Sequence, residues 1–308
     1  MDEASMCERR ALAALDHALK DLTGVHHRPF GGKTMLLGGD FRQYAPVIPH
    51  SHAGSNIAES IKSSNLWPEF HLLRLTQNLR VEPGESDFAN YLLRIGDGSA
   101  NVADTDITSI PDNILFHGSI QDLINWVYES NLAEPNPDNA LLCPRNDHCD
   151  YINNLILDRL EGQQRIYFSE DQLIDPSAAS IADYPHELLN HVEVAGLPPH
   201  EIRLRVGAIV MLIRNMSLID GLVNGTRPRI TSLGNQIFRA TIIIGTNIGQ
   251  DVIIPRIKLI PSNSTLGVDF SRKQFPVKLA FAMTINKSQG QTLKRVGIYL
   301  RDPDHGQL

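Results

Sequence analysis

Residues 277–292 read VKLAFAMTINKSQGQT, an apolar run that changes abruptly into a polar loop. The run Val277–Met283 predicts a buried strand. The loop Thr284–Thr292 combines lysine, hydroxyl and amide side chains with one glycine. That set of donors suits contact with phosphates, either those of a nucleotide or those of a nucleic-acid backbone. Ordinary turn chemistry is the alternative, but the loop offers hardly any apolar side chain for packing.

The residues around this stretch set its context. From about residue 185 onward, short β-rich runs alternate with Gly, Asn and Pro turns, and they lie at 203–213, 229–232, 237–244 and 252–259. Regular short strands of this kind predict a small β-barrel or sandwich. A further strand is predicted at 296–300, so the order along the chain is α/β, all-β and α/β again. We therefore predict an all-β insert within an α/β domain.

The first half of the chain has helical and strand patterns. Leu12, Leu15 and Leu19 lie at helical spacing. Gly24 follows them, and together they predict an amphipathic helix that ends at a glycine. Helices are predicted at 4–22, at 86–95 with Gly96 as the stop, around Trp126 and from a cap at Asp150 onward, and strands are predicted at 35–37 and 71–75.

The composition limits the class of protein. The 308 residues are enough for about two domains, and a hydrophobic content of 42% can fill cores of ordinary size. No stretch approaches the roughly 18 consecutive apolar residues that a membrane span requires, and no signal-peptide pattern is present. Three cysteines are too few for a disulfide framework. These features predict a soluble intracellular protein.

Charge is distributed unevenly along the chain. Residues 1–200 carry 13 Lys and Arg against 29 Asp and Glu, a balance of −16, whereas residues 201–308 carry 15 against 6, a balance of +9. Such asymmetry indicates an electrostatic footprint for nucleic acid in the last third. The alternative explanation of this asymmetry is an acidic domain and a basic domain that merely contact each other.

Three further motifs contain side chains that can do chemistry. Asp2–Glu3 precedes the first predicted helix, Gly38–Gln43 reads GGDFRQ and is followed by Pro46–Val47, and Leu75–Arg80 reads LTQNLR. Each alone has a structural explanation, because acidic pairs are common at helix N-termini, Gly-Asp is a common turn and most arginines are solvated. Their order along the chain is more informative than any one of them.

Two more motifs complete the series: Val223–Arg227 reads VNGTR and Ala282–Thr292 reads AMTINKSQGQT. In order, and over nearly the whole chain, the five motifs resemble those of the Pif-type, RecD-like DNA helicases of superfamily 1B. Residues 197–227 resemble the start of the SH3-like insert of that family, called 2B. This agrees with the all-β stretch predicted from the pattern of short strands.

The resemblance implies a role for each matching residue. Asp2 would bind Mg²⁺ and Glu3 would activate the attacking water. Gln43 would sense the γ-phosphate, and Arg80 would act as the arginine finger. Contacts with the nucleotide are implied for Gly39, Asp40, Gln43, Arg80, Lys287, Gln289 and Gly290. Contacts with nucleic acid are implied for Asn224, Thr284, Asn286, Lys287 and Ser288.

The resemblance also implies a fold, cofactors and partners. We expect an α/β protein with RecA-like P-loop NTPase motor domains and an SH3-like all-β insert. The first motor domain, incomplete, would lie at 1–75, the second at 76–184 and 271–308, and the insert at 185–270. The cofactors would be ATP and Mg²⁺, and the partner single-stranded and forked DNA, with no membrane. We expect a monomeric 5′-to-3′ helicase in DNA repair, recombination or telomere maintenance, in the nucleus or alternatively the mitochondrion.

The sequence lacks a Walker A loop. The run GGKT at 31–34 resembles the end of one, but the pattern requires a glycine at position 27, where His27 stands. We therefore expect a fragment from the Walker B motif to just before the last helicase motif, with little ATPase activity. A non-catalytic, transposon-derived DNA-binding remnant is the alternative. Cys143, His148 and Cys149 lack a standard zinc spacing, so no metal site is predicted there.

Overall fold

The computed structural model of the protein describes residues 1–43, 57–82, 84–102, 105, 107–129, 131–132, 134–174, 184–194, 196–261 and 269–300. The chain divides into two compact units, Met1–Leu115 and Phe116–Leu308, called here the N-terminal and C-terminal units. Residues 76–115 therefore group with the first residues of the chain, although they were assigned to the second motor domain in the predicted division at residue 75.

The elements that the structure describes in full in the N-terminal unit are the helices α1 (Arg9–Thr23) and α2 (Ser86–Gly96) and single 3-10 turns at Ala4–Met6, Pro29–Gly32, Ile61–Ser63 and Trp67–Glu69. The predicted glycine stop of α1 is confirmed. Gly24 adopts a left-handed conformation with φ of 69°, and its N–H donates to Lys20 O. The apolar face of α1 buries Leu12 with Phe30 and Ile61 in a small core.

The two strands predicted in this unit do not form. Residues 35–37 are extended, with Met35 and Leu37 packed against the small core and Leu36 facing outward. Residues 71–75 have no regular structure, and the Leu75 side chain is fully exposed. A strand needs neighbours to satisfy its backbone N–H and C=O groups. Residues 36–38 have only a few hydrogen bonds with residues 1–4, and the described part of this unit provides no sheet for either run.

The C-terminal unit contains the remaining helices and all the strands of the described chain. In chain order these are α3 (Ile120–Tyr128), β1 (Asn139–Cys143), α4 (Asn146–Arg159), β2 (Gln164–Phe168), β3 (Glu170–Leu173), α5 (His186–Asn190), β4 (Glu201–Arg205), β5 (Val210–Leu212), β6 (Pro228–Leu233), β7 (Ile237–Ile242), β8 (Asp251–Pro255), β9 (Ile257–Leu259), β10 (Phe270–Gln274), β11 (Val277–Leu279), β12 (Ala282–Thr284) and β13 (Arg295–Ile298).

A parallel sheet forms the α/β part of this unit. The strand order is β12-β1-β13, with Leu141 of β1 between Ala282 and Gly297. Helices α3 and α4 pack against β1, as a parallel sheet with crossover helices requires. Helix α4 begins at Asn146 with Arg145 at its N-cap, so the predicted cap at Asp150 is wrong. Asp150 lies in the second turn of a helix that begins earlier than its apolar residues indicated.

Small antiparallel sheets make up the all-β part. Strands β6, β7 and β8 form a meander, β5 pairs with β11, β2 pairs with β4, and β3 and β9 flank β10. Strands β2 and β3 lie before the predicted start of the insert at 185, yet they pair with later strands. The predicted run 252–259 is two strands separated by Arg256, and the run 277–283 is also divided into two strands. No helix in the described part of the chain is long and apolar enough to cross a membrane.

Candidate active site and nucleic-acid interface

The first four residues run beside residues 36–38 with the hydrogen bonds of a parallel pair. The Met1 amino group donates to Leu36 O at 2.8 Å. The backbone N–H of Gly38 donates to Met1 O at 2.9 Å, and that of Ala4 donates to Gly38 O at 2.8 Å. These bonds place the acidic pair Asp2–Glu3 beside the first glycine of the GGDFRQ motif.

The acidic pair has an unusual backbone. The Asp2 side chain is exposed, and its Oδ1 accepts a hydrogen bond from the Glu3 N–H at 3.0 Å. Glu3 adopts a left-handed conformation, with φ of 50° and ψ of 40°. For a residue other than glycine this conformation costs about 1–3 kcal/mol, and such residues cluster at functional sites. Asp2 and Glu3 therefore leave the extended segment at a sharp turn.

The GGDFRQ motif forms a tight turn directly beyond this pairing. Asp40 Oδ1 accepts from the Arg42 N–H at 3.0 Å, and Asp40 O accepts from the Gln43 N–H at 3.1 Å. Arg42 Nε donates to Asp97 Oδ1 at 2.7 Å, which connects the turn to the end of α2. Gln43 is exposed at the end of the turn, whereas the Pro46–Val47 part of the motif lies outside the described residues.

Arg80 lies in an exposed segment without regular structure. Its backbone N–H donates to Asn78 Oδ1 at 2.9 Å. Its side chain is exposed. The structure therefore joins the acidic pair to the GGDFRQ turn, and the convergence of Arg80 on the same site stays a prediction.

The GGKT run is not a phosphate loop. Pro29–Gly32 forms a 3-10 turn, and Lys33 follows in an extended conformation, with φ of −80° and ψ of 142°. A Walker A lysine opens a helix so that the backbone N–H groups surround the phosphates. Lys33 instead leads into the segment 35–37.

The polar loop Thr284–Thr292 follows the carboxyl end of the edge strand β12. Residues Ile285–Ser288 form a 3-10 turn, which the Ser288 hydroxyl closes by donating to Ile285 O at 2.7 Å. Gly290 follows with φ of 74°, and nothing lies within 4 Å of a Cβ atom placed there. The backbone around Gly290 is therefore open to a ligand.

Lys287 is the cation of this loop. Its Nζ lies 3.8 Å from Met211 Sδ. The residue is exposed as a whole, but desolvation of its ammonium group by surrounding atoms, and then the charge of Lys278, hold the pKa of Lys287 below its usual value. A bound phosphate would relieve both effects, so the position suits an anionic ligand.

Asn224 lies on a separate exposed loop of the same unit. Its backbone N–H donates to Asn215 Oδ1 at 2.7 Å, and Gly225 follows with φ of 93°. The Gly225 N–H donates to Leu212 O at 2.8 Å, so the loop is tied to β5. The Asn224 side chain projects from a loop with a defined backbone.

Comparison with known proteins finds two matching family profiles. Residues 1–106 match the profile of the PIF1-like helicases, and residues 187–233 match that of the 2B domain of the DNA helicase Pif1. Over these residues the chain is similar to the Pif1-like helicases.

Individual relatives extend the match. The chain is 27% identical over 306 residues to the ATP-dependent DNA helicase PIF1 of Danio rerio, covering 97% of this chain and 42% of the relative. It is 26% identical over 306 residues to the human ATP-dependent DNA helicase PIF1, covering 97% of this chain and 41% of the relative. This Pif1-like chain thus spans less than half the length of these curated relatives.

A solved structure supports the fold. The Pif1 helicase from Bacteroides, in complex with ADP-AlF3 and ssDNA, matches with a TM-score of 0.65 at 23% identity, over 96% of this chain and 63% of that chain. At this identity the likeness concerns the fold alone. The α/β fold class that the sequence predicted is the fold that this Pif1-like chain shares with it.

The Pif1-like assignment raises the question of a metal. No cluster of three or more His, Cys, Asp or Glu side chains occurs among the described residues. Mg²⁺ does not need one, because it is usually held by one or two carboxylates together with water and substrate phosphates. The exposed Asp2 carboxylate, held in place by the Glu3 N–H, fits that requirement.

The sequence patterns missed three buried polar residues in this Pif1-like chain: Tyr128, Asn153 and Arg227. Arg227 belongs to the quoted VNGTR motif, but its burial could not be read from that motif. The sequence indicated the burial of Asn153 only weakly, through the neighbouring apolar residue Ile152, which faces the core. All three side chains bind the backbone that leads into the polar loop.

Proposed function

We propose that the chain is part of an ATP-dependent 5′-to-3′ DNA helicase that acts in DNA repair, recombination or telomere maintenance. One observation carries the proposal: the parallel hydrogen bonds of residues 1–4 with 36–38 set Asp2–Glu3 beside the Gly38–Gly39 turn. An acidic pair beside a second motif is the arrangement that a motor needs to organise a metal, a water and a phosphate at one point.

Each residue of this site has a proposed role. Asp2 would hold Mg²⁺, which neutralises charge on the nucleotide phosphates when bound. Glu3 would orient the attacking water, and Gln43 would present its amide to the γ-phosphate. Arg80 would supply a guanidinium, whose fork geometry suits a phosphate.

The C-terminal unit would contact DNA. The balance of +9 in residues 201–308 provides the attraction, and the Asn224 loop and the polar loop 284–292 provide the contacts. The related Pif1 structures include one bound to ssDNA and one concerned with unwinding of forked dsDNA. We infer single-stranded and forked DNA as the partner, a monomeric protein and a nuclear location, with the mitochondrion as the alternative.

An ATPase and unwinding assay tests the proposal. The 308 residues contain no Walker A loop, so we expect the polypeptide alone to show little ATPase activity. Fusion behind the Walker A segment of the Danio rerio relative should restore DNA-stimulated turnover. In that fusion, Glu3→Gln should reduce turnover by about 100-fold, the scale of a lost general base. Glu8→Gln, the same chemical change outside the site, should not.

Two outcomes would count against this reading. Robust DNA-stimulated turnover by the 308 residues alone would contradict the expected inactivity of the fragment. Equal turnover of the Glu3→Gln and Glu8→Gln fusions would remove Glu3 from the mechanism.

A non-catalytic, transposon-derived DNA-binding remnant is the second candidate. The basic balance of residues 201–308 favours it, because that charge binds DNA whether or not ATP is hydrolysed. The remnant predicts nucleotide-independent DNA binding that weakens steeply as salt rises, with no turnover even in the fusion.

A further inference from the structure

In the C-terminal unit, the chain crosses from one sheet to another at residues 279–282, called here the crossover. Before it, β11 pairs with β5 of the all-β part, and after it, β12 pairs with β1 of the parallel sheet. Besides these strand pairs, two backbone hydrogen bonds in the described chain hold it: Ala280 N–H donates to Ile209 O at 3.0 Å, and Leu141 N–H donates to Phe281 O at 3.3 Å. The crossover leads within two residues into the polar loop 284–292.

The side-chain amide of Asn153, in α4, both donates to and accepts from the backbone of the crossover, as the backbone of a neighbouring strand does. This side chain is buried, with 2% exposed. Its Nδ2 donates to Ala282 O at 3.0 Å and to Leu279 O at 3.3 Å. Its Oδ1 accepts from the Ala282 N–H at 2.8 Å. One amide therefore satisfies both ends of the crossover.

Arg227 and Tyr128 bind the two middle residues of the crossover, Ala280 and Phe281. The buried Arg227 side chain donates from Nη2 to Ala280 O at 3.1 Å and from Nη1 to Pro137 O at 3.3 Å. The buried Tyr128 hydroxyl donates to Phe281 O. Every carbonyl of the crossover thus accepts a hydrogen bond from a buried side chain, and the three side chains come from three separate parts of the unit.

Burial of Arg227 is costly, because no carboxylate in the described part of the chain forms an ion pair with it and its Nε lacks a hydrogen-bond partner there. Burial also holds the pKa of Arg227 below its usual value. An apolar residue would fill the same space at a lower cost. The guanidinium, unlike an apolar side chain, adds directional hydrogen bonds. These bonds connect Ala280 to Pro137, which lies just before β1.

We propose that Tyr128, Asn153 and Arg227 are positioning residues that fix the crossover and, through it, the polar loop 284–292. The consequence for DNA rests on the proposed function, in which this loop contacts the strand. Arg227 lies three residues after Asn224, so it also ties the Asn224 loop to the crossover. The two loops proposed to contact DNA are then held in a fixed position relative to each other.

Hydrogen exchange on the full chain tests the positioning without DNA. Tyr128→Phe removes one hydroxyl but keeps the ring, whose centroid lies 6.0 Å from that of Phe281. Amides of residues 283–291 should exchange about two- to tenfold faster, the range of one net hydrogen bond. Tyr167→Phe is the matched control, because its hydroxyl donates to Gly234 O at 2.8 Å in the all-β part. Equal exchange of the loop in the two variants overturns the proposal.

Binding of a fluorescein-labelled oligo(dT) tests the consequence. Tyr128→Phe and Arg227→Lys should each weaken binding about two- to tenfold. In a Lys287→Ala background the same changes should have less than about half that effect, because residues acting through one loop are not additive. Full additivity overturns the coupling. If the unchanged chain does not bind the oligonucleotide, the proposed function fails, while the exchange experiment still decides the positioning.

Discussion

Gly39 packs so closely against Ser5 that a Cβ atom at Gly39 would stand 2.9 Å from the Ser5 backbone nitrogen and 3.0 Å from that of Ala4. Gly38 has room, since a Cβ atom there would lie 3.6 Å from its nearest neighbour, Asp2 Oδ1. Neither glycine has a left-handed φ. Close approach, and not backbone conformation, therefore requires glycine at position 39, and this approach holds the GGDFRQ turn against the acidic pair.

Gly39→Ala should destabilise the N-terminal unit by about 1–3 kcal/mol, the usual cost of an added methyl group in a packed site. The chain has two tryptophans, and in a Trp126→Phe background Trp67 reports on this unit alone. Urea unfolding followed by Trp67 fluorescence measures the change. Gly38→Ala is the matched control and should cost less than about 1 kcal/mol. Equal costs at the two positions would contradict the packing argument.

Arg272 and Asp171 form a buried ion pair that should dominate the stability of the all-β part. Arg272 Nη2 lies 2.7 Å from Asp171 Oδ2, and both side chains are almost fully buried. Arg272→Met removes the cation from the buried carboxylate, to which the Ser169 hydroxyl still donates, and should cost about 3–5 kcal/mol. Urea unfolding in a Trp67→Phe background, followed through Trp126 of α3, measures this.

The chain offers an exposed pair as the control for that variant. Lys273 Nζ lies 3.2 Å from Glu170 Oε2, and these side chains are 41% and 50% exposed. Lys273→Met should cost less than about 1 kcal/mol, because solvent screens the pair. Asp171→Leu combined with Arg272→Met should recover most of the loss. A loss below about 1 kcal/mol for Arg272→Met alone would show that the buried carboxylate finds another partner.

The sequence predicted elements whose signals are local. The helix at 86–96 and the strands near 229–232 and 237–242 form close to their predicted bounds, and the first helix ends where predicted, at Gly24, although it begins at Arg9 and not at residue 4. Each depends on periodicity and on a glycine or turn residue within the element itself. The order of motifs also indicated the family that the profiles match, because that order does not depend on packing.

Strands and site features that depend on distant parts of the chain were wrongly predicted or missed. The apolar runs at 35–37 and 71–75 have strand composition, but the described N-terminal unit gives them no sheet to join. Strands β2 and β3 were missed because their partners, β4 and β10, lie far along the chain. At the candidate site, burial of Arg227 and the left-handed turn at Glu3 result from tertiary contacts and backbone geometry that no motif encodes.

Lys287 should account for one phosphate contact in DNA binding. Lys287→Ala is expected to weaken binding of oligo(dT) and to make the slope of log K against log salt shallower by about 0.7, the value for one phosphate contact on a single strand. Lys258→Ala is the matched control, because it removes the same charge from an exposed position on β9. Salt titrations of fluorescence anisotropy measure both slopes. An unchanged slope for Lys287→Ala would exclude a phosphate contact by this residue.

DNA binding should also weaken at alkaline pH, through Lys287. Desolvation of the ammonium group and the neighbouring charge of Lys278 hold the pKa of free Lys287 below its usual value, so it loses its proton earlier than an ordinary lysine as pH rises. Because a phosphate contact requires the protonated form, affinity should fall as pH passes through this lowered pKa. Lys278→Gln removes the repulsion and should move that fall to higher pH.

Dissociation constants for oligo(dT) between about pH 7 and 10, below the usual lysine pKa of about 10.4, make the comparison. Lys258→Gln changes the net charge equally and should leave the midpoint of the fall in place, which separates the effect of Lys278 on Lys287 from a general loss of charge. Because Lys287→Ala has no group to titrate at this position, its affinity should stay flat over the same range. Identical pH profiles for the unchanged chain and Lys287→Ala would mean that the proton lost at alkaline pH belongs to another group.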